Sequence, residues 1–346
     1  MKNIKNILFN RTKKKNRRRL NSIKKRKILR RNSANHLKIL RRDNYDYKFN
    51  APINFDFQRN FEFVIGFISK IENALHKEKT VFINMTYVQK IDFDTIILLL
   101  GIMAEFKAKN INFNGNFPKN KAAKTELLNS GFLDQLYPNQ QSYKFGSKNG
   151  IYTHGKKIID QEFTANLISS SITHIFGPNK RSQGAQRILI EAMKNTLEHA
   201  NPFIKSSSWW LSIKQDYIGK RTIFSFLDYG IGIFRSLKTK DKNSPGYTYF
   251  EQFFELGINN EDVLKKIMNN ELHNITRTKL ANHGTGLPSM KTAFDNNFIS
   301  KLVILTNDVY ADISANTYKS TSNNFSGTLI QFEINSNNKT FSNDVN

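Results

Sequence analysis

The 346-residue chain contains no cysteine, so a disulfide framework and a thiolate metal site are both excluded. Its few histidines, among them His154, His174, His199, His273 and His283, show no His-x-x-x-His pairing, which argues against a dedicated transition-metal site. No apolar run approaches the roughly 20 residues of a membrane-spanning helix, and no secretory signal or internal repeat is apparent. Without these features, the expected location is the cytoplasm. A Gly-x-x-x-x-Gly-Lys-Ser/Thr loop is missing too, so any phosphate site is not of the Walker A kind. Acid is scarce, with 28 Asp and Glu against 53 Lys and Arg.

That imbalance is concentrated at one end. The first 43 residues hold 18 Lys and Arg and a single acid, Asp43, whereas the other 303 carry 35 basic against 27 acidic residues. The run Lys13-Lys-Lys-Asn-Arg-Arg-Arg19 and the cluster Lys24-Lys-Arg-Lys27 are too repulsive to build a core. Residues 1–45 therefore read as a basic arm, disordered or weakly helical. Nucleic acid is the leading partner for residues 1–43, ahead of a solvated tail or an anionic membrane surface. Phe9 is the only aromatic near the run, so stacking on single-stranded bases is not indicated. The remaining length suits two globular domains.

Three stretches in the second half carry chemistry. The first is Glu191-Ala-Met-Lys-Asn195-Thr-Leu-Glu198-His199-Ala200. At 100° per residue, Asn195, Glu198 and His199 fall within about 80° of Glu191, while Leu189, Met193, Leu197 and Ala200 gather on the opposite side. Alone, this is an ordinary amphipathic helix. Its polar face is nevertheless suited to magnesium and water chemistry: an amide oxygen is a hard ligand for Mg²⁺ beside phosphates, and a nearby carboxylate can polarise a water.

The second stretch is the apolar Thr222–Leu227 followed by Asp228-Tyr-Gly230-Ile-Gly232. It reads as a buried strand ending in an acid that can accept from an exocyclic amine, with glycines that let backbone approach a planar ring. A plain strand and glycine turn would look the same. The third, His283-Gly284-Thr285-Gly286-Leu287, is a glycine-rich turn running into a helix, whose backbone N–H groups suit an anion. A capping turn is the simpler reading of that segment by itself.

In this order the three resemble the N, G1 and G2 boxes of the GHKL (Bergerat-fold) ATPases, and Gly327-Thr328 before the apolar Leu329–Ile334 resembles the family's closing strand. The likeness covers roughly residues 160–336, and its Glu-x-x-x-Asn-x-x-Glu-His-Ala helix is most similar to the anti-sigma-factor serine kinases. It implies an ATP site in which Asn195 binds Mg²⁺, Asp228 recognises adenine and Glu191 orients or deprotonates the attacking water. It further implies that Gly230 and Gly232 line the base pocket, that Gly284, Thr285, Gly286 and Leu287 close over the phosphates, and that Thr328 supports the adenine side. Residues 233–283 are long for the compact kinases. They are expected to form a lid, with helices over Tyr249–Leu256 and Glu261–Met268, and with Arg277 and Lys279 as candidate γ-phosphate contacts. A solvated basic loop is the equal alternative. Residues 161–176 lack the acid that usually flanks a phosphoacceptor histidine beside His174, which argues against a sensor histidine kinase.

Upstream, Thr80–Met85 and Ile111–Gly115 read as strands, the run Ile96–Ala104 and Lys121–Asn129 as helices. With the terminal Ser130-Gly131-Phe132-Leu133, this order resembles a STAS domain, the module of anti-sigma-factor antagonists. Where the phospho-switched members carry Ser or Thr, the turn Ile91-Asp92-Phe93-Asp94-Thr95 has Phe93. The resemblance thus implies a docking surface, within the chain or for a protein partner, and not a phospho-switch. Thr95 is expected to cap the helix that follows.

The expected fold is α/β: the arm at 1–45, a small STAS-like α/β domain at 50–145, a GHKL α/β sandwich at 155–336 (a mixed sheet with helices on one face), and a disordered tail at 337–346. The expected function is an ATP·Mg²⁺-dependent conformational switch with ATPase activity, associated with nucleic acid. A serine/threonine protein kinase acting on a separate STAS protein and a non-hydrolysing ATP-bound adaptor are the alternatives. A homodimer is compatible with the resemblance, although no segment fixes an interface.

Overall fold

The computed structural model describes residues 45–136, 149–154, 161–198, 209–238, 257–271 and 286–342. In chain order the elements are β1 (Tyr47–Asn50), β2 (Asn54–Phe55), α1 (Phe57–His76), β3 (Val81–Asn84), β4 (Lys90–Ile91), α2 (Phe93–Ala108), β5 (Phe113–Gly115), α3 (Lys121–Asn129) and α4 (Phe132–Leu136). There follow β6 (Asn149–His154), α5 (Gln161–Phe176), β7 (Lys180–Arg181), α6 (Gln183–Glu198), β8 (Trp209–Asp216), β9 (Arg221–Asp228) and α7 (Ile233–Lys238). The last are α8 (Asn260–Met268), α9 (Gly286–Asp295), β10 (Lys301–Asp312), β11 (Thr317–Asn335) and β12 (Phe341–Ser342). The class is α/β.

The N-terminal strands form a parallel sheet in the order β1-β3-β5. Helix α1 starts where the Asp56 carboxylate accepts from the Arg59 N–H, 3.2 Å away, satisfying one of the free donors of a first turn. Its buried Val64, Ile68, Ile71 and Leu75 recur at helical spacing and make one apolar stripe. Helix α2 is apolar all round, and every residue from Phe93 to Ile102 is buried. A helix of that kind needs cover on several sides. It finds cover from α1, the parallel sheet, and strands β8 and β9 of the second sheet. Its cap is Asp92, whose Oδ1 accepts from the Thr95 N–H at 2.9 Å. This corrects the expectation for Thr95, which lies inside the first turn; its hydroxyl is buried and has no partner among the described residues.

The second sheet has the order β10-β11-β9-β8-β6. Every described pairing in it is antiparallel, so the expected mixed sheet is corrected. Its covering differs from expectation as well. Trp209, Leu211, Phe224, Phe226, Ile330 and Phe332 point into a core shared with α5, α6, α8 and α9. The alternate positions Trp210, Leu227 and Leu329 point into a core shared with α1 and α2. Successive strand residues face opposite sides, and here both sides are apolar. Helices therefore cover both faces, and the N-terminal layer supplies those of one face.

The boundaries shift accordingly. Strand β6 is an edge of the large sheet and begins ahead of the expected start at 155, while β1 begins ahead of 50. The expected disordered tail is structured as far as Ser342. Asn338 is buried, the Lys339 N–H donates to the Asn297 carbonyl at 2.8 Å, and β12 pairs with β7. Part of the expected lid is also built in. Val263, Leu264 and Met268 of α8 enter the core, and Asn260 Nδ2 donates to Asp308 Oδ1 at 2.7 Å.

Candidate functional site

Helix α6 buries Ala185, Ile188, Leu189, Ala192 and Met193 and leaves Glu191 and Asn195 half-buried on its other side. Of the polar face read from the sequence, these two residues are thus turned from the core. Glu191 Oε1 pairs with Lys194 Nζ at 3.1 Å. Against this face lies the start of α9. A Cβ built on Gly286 would stand 3.3 Å from Glu191 Oε2 and 3.5 Å from Asn195 Nδ2. Two of the three stretches, nearly a hundred residues apart in sequence, therefore meet side chain to backbone.

The third joins through Thr196, the neighbour of Asn195. Asp228 ends β9, which packs against α6, and the nearby Thr196 side chain draws its carboxyl down. The Thr196 hydroxyl itself donates to the Ala192 carbonyl at 3.1 Å. Burial pushes the Asp228 carboxyl up from its ordinary value to about 6, against the smaller opposing effect of Thr196. A carboxyl group in that setting keeps lone pairs for an incoming donor.

Around Asp228 the backbone is held by threonine and asparagine side chains. Asp228 stands opposite Thr328 in the β9–β11 register, and Thr328 stands opposite Thr306 in the β11–β10 register. The Thr306 and Thr328 hydroxyl oxygens are 3.1 Å apart, and Thr306 Oγ1 also accepts from the Ile233 N–H at 2.9 Å. Asn307 Oδ1 accepts from the Phe234 N–H at 3.0 Å, while its Nδ2 donates to the Ile231 carbonyl at 2.8 Å. Gly232, at φ +78°, has the Asn307 side chain where a Cβ would go, 2.5 Å away. Its place beside the acid thus rests on backbone conformation and close approach together. Gly230 lies nearer the carboxylate, its would-be Cβ 3.3 Å from Asp228 Oδ1.

Glu191, Asn195, Asp228, Gly230, Gly232, Gly286 and Thr328 are thus linked through direct neighbours. Leu287 packs against the apolar core beside α9. Gly284, Thr285, Arg277 and Lys279, and the expected helix over Tyr249–Leu256, lie outside the described residues, as do His199 and Ala200. Compared with known proteins, the chain matches no family model and no curated protein.

Sequence reasoning did not single out Thr196, Thr306, Asn307 or Glu72. Thr196 had a signal, since one step along α6 from Asn195 points toward the sheet. Glu72, on α1, had none. Its Oε1 accepts from the Tyr229 hydroxyl at 2.8 Å and from the Ser326 N–H at 3.1 Å. Burial pushes its carboxyl up, while Tyr229 and Ser326 pull it back. A second buried acid of the N-terminal layer, Asp94, accepts from the Ser225 hydroxyl and the Gln331 amide, and burial pushes its carboxyl up too.

Among the described residues no group of three or more His, Asp or Glu is placed to hold a metal ion. Mg²⁺ usually binds through one or two protein oxygens plus phosphates and water. A site with Asn195 as protein ligand and Glu191 beside it fits that pattern. His174, on α5, has Nδ1 3.1 Å from the Ser171 carbonyl and Nε2 3.3 Å from the Arg221 carbonyl. No helix among the described residues is long and apolar enough to cross a membrane.

Proposed function

We propose that the chain binds ATP with Mg²⁺ between α6, the end of β9 and the start of α9, and works as a nucleotide-dependent switch with slow ATPase activity. The observation that carries this reading is the meeting of Glu191 and Asn195 with Gly286, on a helix that also packs against β9, the strand Asp228 ends. Asp228 accepts a hydrogen bond from the adenine amine. Asn195 presents its amide oxygen to the cation, which when bound neutralises phosphate charge. Glu191 takes the proton of the water whose oxygen attacks the γ-phosphorus, releasing ADP and phosphate. The backbone N–H groups opening α9 face the phosphates.

The test is ATP binding and turnover by the full chain and two variants. Asn195→Ala lowers Mg²⁺-dependent ATP affinity by about a hundredfold without changing the fold, and Glu191→Ala keeps binding but loses turnover. Unchanged affinity in Asn195→Ala would sink the site assignment. Tight binding with no turnover in wild type would instead favour the kinase or adaptor reading, separated by whether labelled phosphate reaches a STAS protein.

A further inference from the structure

Glu72 is 5% exposed and comes from the N-terminal layer, on the α1 stripe whose other buried members are almost all apolar. Burying a carboxylate among them costs several kcal/mol unless its hydrogen bonds are made. Packing alone would be met better by leucine. The two donors it takes are informative. Tyr229 follows Asp228 directly, and Ser326 precedes Gly327-Thr328. These two segments are the walls of the adenine side of the proposed pocket, and they touch each other. A Cβ on Gly327, at φ +125°, would lie 2.3 Å from the Asp228 carbonyl oxygen and 3.1 Å from Tyr229 Cα.

A second helix of the N-terminal layer reaches the same spot. On α2, Gly101 lets the helix close on the end of β9: a Cβ there would be 2.9 Å from Leu227 Cδ2 and 3.3 Å from Tyr229 Cδ2. Phe325 meets the Tyr229 ring edge-on, with centroids 6.1 Å apart. Tyr229 is thus fixed on its faces by apolar packing and at its hydroxyl by Glu72.

We propose that Glu72 is a positioning residue for base recognition: by holding Tyr229 and Ser326 on one carboxylate oxygen, it sets the spacing of the two walls that carry Asp228 and Thr328. The N-terminal layer is then a part of the nucleotide site, and any partner that shifts α1 changes the protein's preference for adenine. This rests on the ATP reading above.

The test compares ATP·Mg²⁺ and GTP·Mg²⁺ affinities by calorimetry for the full chain, Tyr229→Phe, Glu72→Gln, Glu72→Leu and, as a control on the site itself, Asp228→Asn. Tyr229→Phe and Glu72→Leu are expected to weaken ATP by about tenfold and leave GTP unchanged, so that discrimination between the bases collapses. Glu72→Gln, which can still accept, restores most of it. The double variant Glu72→Leu/Tyr229→Phe is expected to be no worse than either single change. A merely structural role would lower the unfolding temperature and leave the ATP/GTP ratio alone. If Asp228→Asn loses ATP while the ratio survives in Tyr229→Phe and Glu72→Leu, the positioning role is wrong and the site stands. If wild type binds neither nucleotide, both are wrong. Should Glu72→Leu fail to fold, Tyr229→Phe, which removes one oxygen, decides alone.

Discussion

Asp228 pays for its position in stability. Its carboxyl is raised to about 6 by burial, so between pH 4 and 6 the folded chain holds a proton that the unfolded chain has lost. Stability from this group is full below the ordinary aspartate value and is lost as pH rises through 6. By pH 7 the deficit is about 3 kcal/mol. Asp228→Asn should therefore raise the unfolding midpoint by several degrees at pH 7 and by much less at pH 4, while weakening ATP binding. An equal change in midpoint at both pH values would mean that the acid is not buried as described. Asn195, Glu191 and Asp228 stood out in the sequence because each sits inside a short local pattern. The partners that hold them were not. Asn307 reaches Phe234 across 73 residues, and Glu72 reaches Tyr229 across 157; no window of sequence contains both ends of either bond.

At the scale of elements, periodicity located α2, α6, β9 and the core of β11 well, since each has a strong apolar pattern. It did not give the sheet's direction or its second cover. Both follow from strand pairing, which depends on residues far apart. The hint was present in β9, where apolar Phe224, Phe226 and Leu227 fall on both faces, as expected of a strand buried on two sides. The turn into the last strand is the sharpest local constraint. Gly327 combines a positive φ with a backbone oxygen where a side chain would stand. Gly327→Ala is expected to cost about 2–4 kcal/mol, read by urea unfolding, and to cut ATP affinity through the displaced Asp228 wall. Gly177, also at positive φ but with open space around it, provides the comparison: alanine there costs about 1 kcal/mol and leaves binding alone.

For the whole molecule, the arm and the N-terminal layer should behave differently on deletion. Removing residues 1–43 takes away 18 of the 53 basic residues and none of the described core. The unfolding midpoint and ATP affinity are expected to hold, and nucleic-acid binding to disappear. If six to ten phosphates are met, binding by the full chain falls about 10³–10⁵-fold between 50 and 200 mM salt; a flat salt response would rule out the arm as the contact. Removing residues 1–136 instead uncovers Trp210, Leu227, Leu305 and Leu329 on one sheet face, and an aggregating product is expected by light scattering.

The same two-sided burial sets a timetable for synthesis. Helices α1 and α2 leave the ribosome before the strands that cover them, whose covering residues lie between Trp210 and Leu329. At about 5–20 residues per second, the run Ile96–Ile102 waits roughly 5–45 s for its counterpart. During that interval the nascent chain displays a largely apolar helix downstream of a strongly cationic segment. Synthesis order, apolar layer before sheet, thus leaves the cover of that layer to strands made more than a hundred residues later.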